Sequence, residues 1–122
     1  PQDGDFLLEF EAGWIPEGFV LKDQIHGQHS TYTYYTGNNS EALVIDLTAI
    51  SESGSSGVDT ENSNKENLDI KGRTATLITT DYLKLIIPIP ERTQLLIIAL
   101  WTNDFLMGRE EIIRIAENIE LF

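Results

Sequence analysis

Alternating apolar and polar residues run through most of the chain, and a helical stripe follows them. Phe6, Leu8, Phe10 and Ala12 alternate with mostly polar neighbours and predict a short first strand, although Leu7 interrupts the pattern. Ile15-Pro16-Glu17-Gly18 places Pro second and Gly fourth, the signature of a type I turn. Phe19, Leu21 and Ile25 follow at period two, broken by Asp23. The β-branched and aromatic run Thr31-Tyr32-Thr33-Tyr34-Tyr35-Thr36 favours a strand. Gly37-Asn38-Asn39-Ser40 then reads as a hairpin loop. The cleanest alternation follows it: Leu43, Ile45, Leu47 and Ala49 on one face, Asp46 and Thr48 on the other.

Leu68 and Ile70 resume a strand, Lys71-Gly72-Arg73 turns it, and the return runs to Thr80. Leu83, Leu85, Ile87 and Ile89 share a face, with Ile86 opposite. Leu95, Ile97, Ala99 and Trp101 alternate with Leu96, Ile98 and Leu100, so both faces are apolar and the strand is expected at the sheet centre. Pro88 and Pro90 are expected near the connection between these strands, where a missing amide donor is tolerable. Ile112, Ile115, Ala116 and Ile119 stand at i, i+3, i+4 and i+7, one helical stripe, with Glu110 and Glu111 placed favourably for the helix dipole. The pattern predicts an α+β fold: an antiparallel β-sheet of about six or seven strands packed by one C-terminal α-helix. Strands are expected near 19–26, 31–36, 42–50, 66–71, 73–80, 83–88 and 94–102, and the helix from about Gly108 to Leu121.

Ser51 to Asn67 changes character, and Ser-Glu-Ser-Gly-Ser-Ser-Gly has little to bury. Residues 51–64 are therefore expected to form a flexible loop inside one domain spanning 1–122. A chain of 122 residues suits one domain and buries roughly two-thirds of its unfolded surface. Eight Lys and Arg against twenty Asp and Glu give a formal net charge of -12. Such a surface repels phosphate backbones, which argues against nucleic acid as a partner and leaves cations and basic proteins. The chain has no cysteine, so disulfides, thiolate nucleophiles and cysteine metal sites are excluded together. No apolar run approaches a membrane span. Pro1 stands where an initiator Met would, so the sequence reads as a mature or trimmed fragment whose anchor, if any, lies upstream.

Five short segments carry a family resemblance. They are Trp14-Ile15-Pro16-Glu17-Gly18-Phe19, Asp59-Thr60-Glu61-Asn62, Ile70-Lys71-Gly72, Glu110-Glu111-Ile112 and Ile115-Ala116-Glu117-Asn118-Ile119. In this order and spacing the chain resembles the bacterial "domain of unknown function 4367" family from Trp14 to Ile119. The resemblance implies an extracytoplasmic domain, often following a membrane anchor in Gram-positive bacteria and sometimes beside anti-sigma-factor-like or regulatory segments. It implies no catalytic residues. The chain departs from the family pattern at Leu85-Ile86-Ile87-Pro88, where polar and aromatic strand residues are more usual.

The candidate chemistry is sparse. His26 and His29, with Asp23, are the residues zinc or base catalysis would recruit, but Gly27 between them places them around a turn, as surface histidines. Asp59, Glu61, Asn62, Asn64 and Glu66 offer oxygen to calcium, yet the EF-hand positions for Gly and the closing Glu hold Asn64 and Ile70. Serines 51, 53, 55 and 56 lie in the flexible stretch, outside any nucleophile elbow, and Gly54 and Gly57 lack the partners of a phosphate loop. Tyr32, Tyr34, Tyr35, Trp14 and Trp101 suit strand packing better than a binding platform.

The expectation is a noncatalytic extracytoplasmic binding or sensing domain of a membrane-anchored bacterial regulatory protein, without a cofactor, taking a protein partner or a second copy. The alternative is a carrier-like domain sheltering an apolar or lipid ligand between sheet and helix. Because one helix covers only one sheet face, the surface formed by Leu96, Ile98 and Leu100 is the candidate partner or ligand surface.

Overall fold

A computed structural model describes residues 10–27, 30–37, 40–49 and 64–121. The elements are β1 (Phe10–Ala12), β2 (Val20–His26), β3 (Ser30–Thr36), β4 (Ala42–Ala49), β5 (Asn64–Ile70), β6 (Arg73–Thr79), β7 (Leu83–Ile89), β8 (Gln94–Trp101), α1 (Phe105–Glu117) and β9 (Ile119–Leu121). Strands β2 to β8 form one antiparallel sheet in the order β2-β3-β4-β8-β7-β6-β5, and β1 pairs with β9 in a separate ribbon. The expected α+β class and all seven expected strands of the main sheet are present. Phe6, Leu8, His29 and the segment 51–63 lie outside the described residues, and with them the expected loop mobility, the serines and most of the candidate calcium ligands; Asn64 opens β5.

Turn chemistry sets the register. At the β5–β6 hairpin Lys71 and Gly72 both have positive φ, 54° and 84°, as a two-residue type I′ turn requires, and Asp69 Oδ1 accepts from the Gly72 amide at 2.9 Å. The turn after Ile15 closes one residue later than its sequence suggests: the Phe19 amide donates to the Pro16 carbonyl at 3.3 Å, with Gly18 at φ 95° in the third position. A left-handed third position makes the turn type II in character rather than type I. Pro88 lies within β7, opposite Leu95, but β6 pairs β7 only as far as Ile86, so the missing amide interrupts no ladder on that side.

Helix α1 starts earlier and stops sooner than the stripe predicts. Asp104 caps it, its Oδ1 accepting from the Met107 amide at 3.1 Å, so Gly108 is internal and not the start. At the other end Asn118 breaks the helix. Its side-chain amide donates to the Arg114 carbonyl and its own carbonyl accepts from Gly13, both at 2.8 Å. Residues 119–121 then pair with β1 instead of continuing the helix. Ile119 stays buried, so the stripe keeps its inward face across the change of backbone.

Helix and ribbon pack on one face of the sheet. The core between them contains Leu43, Ile45 and Leu47 of β4, Leu83, Leu85 and Ile89 of β7, and Ile112 and Ile115 of α1, all buried. Trp14, Ile15 and Phe19 pack against the same cluster. Register couples Ile45 to Ile98 and Ile98 to Leu85, so β8 contributes Leu96, Ile98 and Leu100 to this core.

Candidate functional site

Leu96, Ile98 and Leu100 are 4%, 0% and 0% exposed, beneath the helix-side layer. These three residues are core, so they do not form the expected partner or ligand surface. The reason is register: β4 buries its cleanly alternating set, and pairing forces the even-numbered residues of β8 to the same side. The opposite face carries Leu95, Ile97, Ala99 and Trp101 of β8, Val44 and Asp46 of β4, Ile86 of β7, and Tyr32 and Tyr34 of β3. Among the described residues, no helix or second sheet lies over it.

Asp46 is the chemical centre of this open face. It stands directly between Tyr32 on β3 and Ile97 on β8, with Val44 two residues away on its own strand. Its Oδ1 is buried and has no hydrogen-bond partner among the described residues. Burial pushes its carboxyl above the usual 3.8, because the neighbouring apolar side chains withhold the water that stabilises the anion. The result is a half-buried carboxyl on a face that no described element covers.

The aromatic candidates do not converge. Tyr32 and Tyr34 share the open face, whereas Tyr35 turns inward against the core. Trp101 stacks on Tyr82, ring centres 4.5 Å apart, at one margin of the open face. Trp14 is on the helix side, with the Arg114 guanidinium 4.3 Å above its ring. His26 is exposed on β2. Glu66, a candidate calcium ligand, is held by Arg109 through both carboxylate oxygens, and that hydrogen bonding lowers its pKa. No group of three or more His, Asp or Glu among the described residues could hold a metal ion.

A second concave feature lies on the helix side, at the end where β9 leaves α1. This cleft of about 580 Å³ has an apolar floor from Ile70, Ile87, Ile89 and Leu96, with Ala116, Ile119 and Leu121 along its wall. Its rim is charged: Lys71, Arg73, Glu91, Arg92 and Glu120. Arg73 and Glu91 form a two-point fork there, which holds the Glu91 carboxyl down to about 2.

A family profile described as "Domain of unknown function (DUF4367)" matches residues 9–119. The chain belongs to the DUF4367 family. No curated protein and no solved structure gives a match. In this DUF4367 domain, Leu85 and Ile87 of the departing Leu85-Ile86-Ile87-Pro88 segment are buried in the core, while Ile86 joins the open face. Sequence reasoning missed Asp46 because strand alternation alone places it in solvent; its screening comes from Tyr32 and Ile97 on neighbouring strands. No described helix is long and apolar enough to cross a membrane.

Proposed function

We propose that this DUF4367 domain is a noncatalytic, extracytoplasmic binding or sensing domain of a membrane-anchored bacterial regulatory protein, and that it recognises a protein partner through the sheet face opposite α1. The observation that carries the reading is Asp46: a partly desolvated carboxylate with an unpartnered oxygen, ringed by Tyr32, Val44 and Ile97. The partner is a basic protein segment that sets a Lys or Arg among apolar side chains. Its cation pairs with the Asp46 carboxylate, its apolar flank covers the exposed face, and its charge suits a chain of net charge -12. The extracytoplasmic setting and the anchor follow the family resemblance.

A displayed library of random peptides tests this. Selection on the domain enriches peptides with a basic residue flanked by apolar ones. Binding falls about tenfold or more with Asp46→Asn and is lost with Ile97→Asp. Enriched peptides that bind both variants unchanged overturn the assignment of this face.

The cleft favours a second reading, in which its apolar floor shelters an apolar or lipid ligand. A fluorescent fatty acid that lights up on the domain and is displaced by unlabelled oleate supports that reading. Loss of the signal in Leu121→Asp locates the ligand in the cleft; an unchanged signal refutes that location.

A further inference from the structure

The two edges of the main sheet are built differently. Strand β5 reads Asn-Lys-Glu-Asn-Leu-Asp-Ile, polar over most of its length, and Arg109 holds its Glu66. Charged, occupied edges of this kind resist pairing with another strand. Strand β2 differs in the apolar side chains it leaves exposed. All seven of its residues are exposed, and Val20, Leu21 and Ile25 remain 57%, 51% and 52% accessible. Among the described residues it pairs on one side only, with β3.

A bulge interrupts that pairing. Leu21 faces Tyr35 and Asp23 faces Tyr34, so Lys22 is an extra residue without a partner on β3. The bulge reverses the alternation of faces beyond it. Val20, Asp23 and Ile25 consequently share the open face, while Leu21, Gln24 and His26 share the helix face. A regular strand laid along this edge keeps its own alternation in step on one side of the bulge only. A second β2 carries the same extra residue.

We propose that β2 is a self-pairing edge: two copies of this chain join antiparallel about a two-fold axis between Lys22 and Asp23. In that register Val20 meets the partner's Ile25 and Leu21 meets the partner's Gln24, and in both pairs the faces agree. Lys22 lies across from the partner's Asp23, twice by symmetry. Asp23 Oδ1 already accepts from the Gln24 amide at 2.9 Å, which leaves Oδ2 for the lysine. Slipping the register by one residue either way puts Asp23 against Asp23 or Lys22 against Lys22, and mixes the two faces. Self-complementary charge and face matching thus select one register and one occupant. The pairing joins the two sheets and makes the open faces continuous. It is independent of what those faces bind. The interface is a short strand pair, so association is weak and concentration-dependent.

The chain has no cysteine, so introduced thiols report the register cleanly. Directly opposed residues have Cα atoms about 4.5–5.5 Å apart, within disulfide range, whereas residues offset by five along a strand are about 16 Å apart. Under mild oxidation, an equimolar mixture of Val20→Cys and Ile25→Cys chains forms a covalent dimer, and either variant alone does not. No cross-link in the mixture, or equal cross-linking of the single variants, overturns the register. Sedimentation from micromolar to millimolar concentration shows a monomer–dimer equilibrium. Lys22→Asp and Asp23→Lys each weaken it about tenfold or more, and the double exchange restores it. A monomer throughout, or a dimer that ignores both single changes in chains shown folded by circular dichroism, refutes the proposal.

Discussion

Replacing Gly108 by alanine sets two effects of similar size against each other, and the structure decides between them. Gly108 is buried in the first turns of α1. In a free helix the change from glycine to alanine gains about 1 kcal/mol, since alanine loses less backbone freedom. Here a Cβ meets the Thr102 methyl at 2.7 Å and Leu83 Cδ1 at 2.9 Å. Thr102 cannot turn away freely, because its hydroxyl donates to Glu41 at 3.1 Å and accepts from the Asp104 amide at 3.2 Å. Leu83 is 2% exposed and has nowhere to move. Overpacking a filled core costs about 1–3 kcal/mol; two contacts below 3 Å put the cost here at about 2–3 kcal/mol, so the net expectation is a loss of about 1–2 kcal/mol. At about 4 °C per kcal/mol for a domain of this size, Tm falls by about 4–8 °C. Thermal and urea unfolding followed by circular dichroism measure it. A Gly108→Ala variant as stable as the parent chain, or more so, refutes the close approach of α1 to β7 on which the reasoning rests.

Three further outcomes are expected. Ile112→Ala and Ile115→Ala each lower the unfolding free energy by about 2–5 kcal/mol, since both side chains are fully buried, whereas the exposed Glu117→Ala stays within about 0.5 kcal/mol in urea titration. Lys71→Asn creates Asn-Gly at a type I′ turn and relieves a non-glycine residue at φ 54°, raising stability by about 0.5–1 kcal/mol in the same assay. Burial raises the Asp46 carboxyl above 3.8, and burial followed by Glu41 and Asp104 raises Glu111 above 4.5. The folded chain therefore holds both protons more tightly than the unfolded chain. Stability is lost as pH rises from those ordinary values through the raised ones, and the loss is complete above them. Asp46→Asn should raise Tm at neutral pH and leave it unchanged in acid below 3.8; a Tm difference independent of pH would contradict this.

Period-two alternation made the central strands β4, β6, β7 and β8 legible because each has at least one apolar face that must be buried. Orientation was less accessible. Residues 95–101 are apolar on both sides, so nothing local separates Leu96 from Ile97; only the coupling of Ile45 to Ile98 across β4 does. The helix start was hidden for a related reason. Phe105, Leu106 and Met107 are all exposed, Leu106 by 83%, and do not mark an inward stripe, so Asp104 gave the only local cue through its capping carboxylate. Phe10 and Ala12 of the expected first strand do form β1, but β9 escaped because Ile119 continues the helical spacing while its backbone has already turned to strand. The bulge at Lys22 left a trace, since Asp23 breaks the period between Leu21 and Ile25.

The β1–β9 ribbon also decides how the domain answers a pull. Phe10 lies opposite Leu121, so the two flanks of the described chain depart from the same end of one antiparallel pair. Tension between those flanks loads the hydrogen bonds one after another, the geometry of a zipper, whereas a load carried by many bonds at once would shear. Three residue pairs and the Gly13–Asn118 hydrogen bond hold this seam, and every ladder of the seven-stranded sheet has more residue pairs, so the seam yields first. Because Ile119, Glu120 and Leu121 also wall the cleft, a small force applied across the flanks opens that cleft while the rest of the domain stays folded. A tether on one flank alone leaves the seam slack.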